Sequence, residues 1–192
     1  MFRSLKFFCN QPMYIKRKSV AIHVICVLLS TVLSQDVYAV ENNVKFDGKL
    51  VAEPCTLDPS TTNFSLNLGD VIDKYLYINS RTHSKAFNIN LLDCDLSLGE
   101  SVIVTFSGNP EPELPDLLSL SGGTARGIAI GLENSDGSAL PINKPTNAFK
   151  LLKGNNILTF NAYVQGTPKA IQKREIRKGD FTAISTFTLD YP

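Results

Sequence analysis

The chain has 192 residues, 43% of them hydrophobic, including 11 phenylalanines; that composition suits one globular domain plus a processed segment. Its 19 basic and 18 acidic residues nearly cancel, which gives no reason to invoke nucleic acid as a partner.

Residues 1–39 read as a processed leader. Lys16, Arg17 and Lys18 precede an apolar run over residues 20–33, and Val37, Tyr38 and Ala39 form a small-residue cleavage site. The run is short for a membrane span, so cleavage is favoured over a retained anchor. Met13 is a plausible true start, because residues 13–39 have ordinary signal-peptide proportions. Cleavage removes five basic residues and Asp36, leaving 14 basic and 17 acidic residues, net −3. It also removes Cys9 and Cys26. Cys55 and Cys94 remain, and two cysteines in an exported chain favour one disulfide.

Residues 40–53 form the next unit. Val40, Asn42, Val44, Phe46, Gly48, Leu50 and Ala52 alternate with Glu41, Asn43, Lys45, Asp47, Lys49 and Val51, the period of a strand. The stretch is either a first strand of the chain's own sheet or an arm that inserts into another molecule.

Short β segments follow. Prolines 110, 112 and 115 argue that residues 109–116 are a loop outside any ladder, since proline lacks the donor. Gly122 and Gly123 read as a turn. Residues 127–132 and 140–143, joined through Asp136 and Gly137, read as a hairpin. Residues 155–163 read as another strand. Several short strands, marked turns and no long amphipathic helix predict a single β-sandwich domain over residues 54–192.

The last 14 residues read as one half-buried strand. Phe181, Ala183, Ser185, Phe187, Leu189 and Tyr191 share its mostly apolar face, and Thr182, Ile184, Thr186, Thr188 and Asp190 the other. At a sheet edge its unpaired N–H and C=O groups would be a template for a further strand.

A penultimate tyrosine (Tyr191), Gly179 fourteenth from the end and the alternation between them resemble the C-terminal signature of chaperone–usher pilins, the type 1 fimbrial protein family. The run from Gly48 through Pro54 and Cys55 to Leu57 resembles the junction of donor arm and first strand in minor, tip-adaptor-like pilins. Residues 64–71, with the Leu68-Gly69 turn, look like that family's second strand, and the resemblance covers most of residues 44–192. It implies an incomplete immunoglobulin-like β-sandwich lacking its last strand, completed by a donor strand from another subunit. The chaperone and acceptor strand would carry Gly179, Phe181, Ala183, Phe187, Leu189 and Tyr191; the donor face would be Val40 through Ala52. The implied partners are a periplasmic chaperone, an outer-membrane usher and neighbouring pilins. The implied location is a surface fimbrium that supports adhesion. Rod, tip-adaptor and terminating or anchoring roles all stay open, with the arm and the Pro54-Cys55 context favouring an adaptor or minor subunit.

Other classes fit less well. About 150 mature residues leave no room for the separate lectin domain of a receptor-binding adhesin. An enzyme lacks a constellation: beyond the leader stands one histidine, His83, in a polar surface stretch. Asp93 and Asp95, which a strand would point the same way, read as a solvated pair. Neither a metal site nor a cofactor is expected. The sequon at Asn63 carries no weight in a bacterial chain, the source that the resemblance implies. Residues 169–178 depart from the family, with five basic residues against Glu175; they read as a solvated loop or as a contact for an acidic partner.

Overall fold

The computed structural model describes residues 46–48, 50 and 52–192. The leader and the Val40, Asn42 and Val44 positions of the arm lie outside them. The sandwich is built within one compact unit, Leu50–Pro192.

Chain order begins with β1 (Thr56–Leu57), α1 (Pro59–Thr62), α2 (Asp73–Asn79), β2 (Lys85–Cys94), β3 (Ser101–Ser107), β4 (Pro110–Glu111) and β5 (Leu114–Leu118). It continues with β6 (Gly122–Gly123), β7 (Ile128–Asn134), β8 (Ala139–Leu140), β9 (Phe149–Lys150) and β10 (Gly154–Gly166), then α3 (Pro168–Lys173), β11 (Phe181–Thr182) and β12 (Thr186–Asp190). The large sheet has the order β1-β2-β10-β7-β5-β4, with β8 beside β7. A second sheet has the order β12-β3-β9, and β11 pairs with β6. Every pairing is antiparallel.

The two sheets meet through phenylalanines. Phe160 on β10 lies 5.0 Å from Phe106 on β3 and 5.7 Å from Phe149 on β9, both edge to face. Phe87 on β2 meets Phe106 in the same way at 5.9 Å. Such pairs add about 0.5–1.5 kcal/mol each beyond the area they bury. Strand alternation delivers these rings to one layer: on β3, Val102, Val104 and Phe106 are buried while Ser101, Ile103 and Thr105 are not fully so. On β10 the same period turns Leu158, Phe160, Ala162 and Val164 inward.

The hairpin at Asp136 and Gly137 forms as read. Gly137 adopts φ +82°, its N–H donates to Asn134 O at 3.0 Å, and Asp136 Oδ1 accepts from Ser138 N at 2.8 Å. Four other readings are corrected. Residues 64–72 contain no assigned strand: the Gly69 N–H donates to Asn67 Oδ1 at 2.8 Å, and Gly69 takes φ +75°. Prolines 110 and 115 do lie in strands, β4 and β5, because this hairpin is the sheet's edge and β5 meets β7 only at Leu118. Gly122 and Gly123 are strand β6 rather than a turn. Asp93 and Asp95 do not share a face, since Asp93 takes φ +52° and β2 ends at Cys94; the Asp95 carboxylate instead accepts from Ser97.

Cys55 and Cys94 are buried and disulfide-bonded across a sequence separation of 39. Closing a loop of that size contributes roughly 4 kcal/mol by the chain-entropy estimate. The exported protein is therefore expected to have the intact mass of residues 40–192 less two hydrogens. Two free thiols would contradict the bond, and a mass that retains Cys26 would contradict the leader.

Candidate strand-accepting groove

The terminal stretch is two strands, not one. β11 pairs Phe181 with Gly123 and Thr182 with Gly122, then residues 183–185 leave the ladder and β12 joins the other sheet. β12 pairs along its whole length with β3, from Thr186 opposite Ser107 to Asp190 opposite Ile103. Among the described residues no strand pairs with its other edge.

The side chains on that edge are half covered. Phe181, Ala183, Phe187, Leu189 and Tyr191 all pack against the core, yet none is fully buried, whereas Val102 and Val104 on the adjacent β3 expose 0%. One layer thus passes from closed to open across a single strand spacing of about 4.8 Å. Ser185, placed on the same face by the reading, is exposed; its hydroxyl donates to Ser107 O at 3.0 Å.

Residues 53–72 run along the open side. At one end Glu53 lies close enough to Tyr191 to oppose its ionisation; burial, the larger cause, also raises the Tyr191 pKa. At the other end Val71, Ile72, Asp73 and Leu76 face Ile176, Gly179 and Phe181 across a cavity of about 230 Å³. Between these ends Leu57, Leu66, Leu68 and Val71 are half-buried against the same core. Two banks therefore flank an apolar strip: a strand with one free edge, and a segment that joins a ladder only at β1.

Gly179 is required at the head of the groove. Its φ is +151°, and a Cβ there would stand 2.0 Å from Thr124 Oγ1. The N–H groups of Thr124 and Ala125 both donate to Asp180 O, at 2.9 and 3.0 Å, which pins the lead into β11. Asp73 and Lys178 form an ion pair of 3.3 Å beside the cavity. Burial works against the Asp73 charge, but the Lys178 hydrogen bond prevails and its pKa is lowered.

The described arm residues are exposed. Phe46 is 93% exposed and Leu50 99%, while Gly48 and Ala52 are exposed too. The groove bank formed by Leu66, Leu68, Val71 and Ile176 was missed as a site. The alternation from Phe64 to Leu68 signalled the first part, whereas Ile176 was hidden among charges.

Several other polar groups among the described residues have structural partners. Glu133, 3% exposed, accepts from Arg81 and Ser84, and the Arg81 guanidinium lies 4.3 Å from the Tyr163 ring centroid. The Glu133 hydrogen bond holds the Arg81 pKa up, and burial raises that of Tyr163. His83 Nε2 and Tyr75 Oη are 3.0 Å apart. Among the described residues no three His, Cys, Asp or Glu side chains gather as metal ligands.

The sequence profile of the fimbrial protein family matches residues 44–192. The chain belongs to that family. The major MR/P fimbria protein of Proteus mirabilis is 33% identical over 148 residues, covering 77% of this chain and 82% of that one. The fimbrial adapter PapK of Escherichia coli is 30% identical over 161 residues, covering 80% and 89%. The crystal structure of the P pilus rod subunit PapA superposes with a TM-score of 0.64 at 23% identity, over 73% of this chain and all of the other, which shows the shared fold. This fimbrial protein is a structural subunit of a fimbria, folded as an immunoglobulin-like sandwich with one open edge.

Proposed function

We propose that this subunit is polymerised without covalent bonds by strand addition in a chaperone–usher pathway. After loss of residues 1–39, a strand of a periplasmic chaperone covers the groove of the domain at residues 54–192. At the outer-membrane usher the arm of a neighbouring subunit replaces it. Its own arm, residues 40–53, does the same for another subunit.

The observation that carries this reading is the half-covered strip along β12. Phe181, Phe187, Leu189 and Tyr191 each retain exposed apolar surface beside a free strand edge. Full burial of such side chains is worth about 1.5–3 kcal/mol apiece, so an added strand would gain several kcal/mol plus a backbone ladder. That is comparable with the whole stability of a small domain. The need is for a covering strand, not for a catalytic group. Relatives include both a major subunit and an adapter. An exposed arm together with an open groove favours a subunit joined on both sides over a terminating one.

Isolation of the exported protein from periplasm tests the reading. The expected result is a one-to-one complex with a pilus chaperone. A stable, soluble monomer at full yield, with no chaperone bound, would refute it.

A further inference from the structure

Strand addition leaves two charged regions unused, and they stand at opposite ends of the sandwich. β10 spans its length: Gly154 lies opposite Cys94 at one end and Gly166 opposite Ile128 at the other. Its 13 residues cover about 40 Å.

At the Cys94 end, around the root of the arm, stand Glu53, Asp93, Asp95, Glu100 and Asp190, all exposed, against Lys150 and Lys153. At the other end α3 and the residues after it carry Lys169, Lys173, Arg174, Arg177 and Lys178. The nearby carboxylates neutralise this region in part. Lys169 Nζ is 4.0 Å from Glu113, Lys178 pairs with Asp73, and Glu111, Glu175 and Asp180 lie close by. Lys173, Arg174, Arg177 and Arg126 form no salt bridge among the described residues.

Arg126 and Arg177 also oppose each other in an antiparallel bridge. Each N–H donates to the other's C=O, at 3.1 and 3.0 Å. Like charges directly opposite destabilise a ladder, and an outside carboxylate would relieve the repulsion.

The direction of β12 connects the two ends. β3 leaves the Cys94 end beside Lys150, and β12 runs back antiparallel to it. β12 therefore starts near the basic end and finishes at Tyr191, beside Glu53 at the acidic end. An arm added antiparallel to β12 has its own root, and so its own Glu53 and Glu100, over the acceptor's basic end. A parallel arm would set acid against acid.

We propose that the acidic end of one copy of this chain docks on the basic end of the next, and that this contact fixes the antiparallel sense of addition. The proposal rests on the strand-addition reading and names the partner as a second copy of the chain. Charges at the rim of a junction act mainly on the rate and direction of encounter.

The test starts from the chaperone-bound mature chain and follows its assembly by light scattering, with chaperone release on capture of a peptide of residues 40–53 as a control for an intact groove. Lys173→Glu with Arg177→Glu, or Asp95→Lys with Glu100→Lys, is expected to slow assembly about tenfold while leaving peptide capture within about twofold. Reversing both ends in one chain is expected to restore the rate. About 0.5 M salt should remove the difference, because screening shortens to a few ångström. If a reversal damages peptide capture, Lys173→Gln with Arg177→Gln should still slow assembly severalfold. Peptide capture with assembly rates insensitive to all these changes would overturn the charged junction and leave strand addition standing. Failure of the wild-type chain to capture the peptide would overturn both.

Discussion

Removing residues 189–192, or changing Tyr191 to Asp, is expected to abolish chaperone capture and leave the exported chain degraded. Leu189 pairs with Val104 and Asp190 with Ile103, so the deletion strips two of the five pairings that β12 makes with β3. It also removes Leu189 and Tyr191, both of which pack half-buried against the core. Losing two such half-buried side chains costs a few kcal/mol, a large share of a small domain's stability. Tyr191→Asp acts differently. Tyr191 packs half-buried on the core with Glu53 close by, so a carboxylate there is desolvated beside a like charge. Tyr191→Phe keeps the ring and is expected to be captured normally. The measurement is periplasmic yield by immunoblot together with chaperone recovered per mole of subunit. Normal values for either damaging change would remove the C-terminal strand from the site.

Side-chain alternation made the sandwich legible, and the same signal explains where the reading failed. On β3 every residue of the inward set has a ladder partner, Val102 on β9 and Val104 and Phe106 on β12, so period and strand coincide. Phe64, Leu66 and Leu68 alternate too, with Leu66 and Leu68 turning toward the core, yet the segment forms no ladder. Period reports which side chains face inward; it does not report whether a backbone partner exists. The break at residues 183–185 has a similar origin. Phe181 and Phe187 keep a common apolar face while the backbone leaves β6 and joins β3, so the pattern runs straight through a change of sheet. Residues 169–178 were read by charge alone. Thr167 ahead of Pro168 is a helix-start signal, and α3 follows from it, with Ala170 buried beneath the lysines. The bank opposite β12 was not legible because it joins residues 57–71 to Ile176, more than 100 positions apart, through burial with no shared local pattern.

Phe46→Asp is expected to destroy the donor activity of the arm, and it separates an inserted strand from an ordinary first strand. A peptide of residues 40–53 is mixed with a chaperone-bound partner subunit, and chaperone release is followed over time. Phe46 is 93% exposed in the free chain, so its replacement should leave the folding of that chain unchanged. Any loss must therefore arise in the complex, where an unpaired carboxylate in an apolar groove costs several kcal/mol or is forced to protonate. Release is expected to fall by at least two orders of magnitude. Lys45→Ser and Lys49→Ser, on the opposite face of a strand, are expected to stay within about threefold of wild type. Gly48 gives a second internal comparison, since a Cβ there meets nothing within 4 Å in the free chain. A large side chain at position 48 should therefore harm exchange while leaving the folding of the donor subunit untouched. A chain lacking residues 40–47 should still bind chaperone, because its groove is intact, but should fail to complete a neighbour. Equal release by the wild-type and Phe46→Asp peptides would show that the arm is no donor and that its alternation marks a strand of its own sheet.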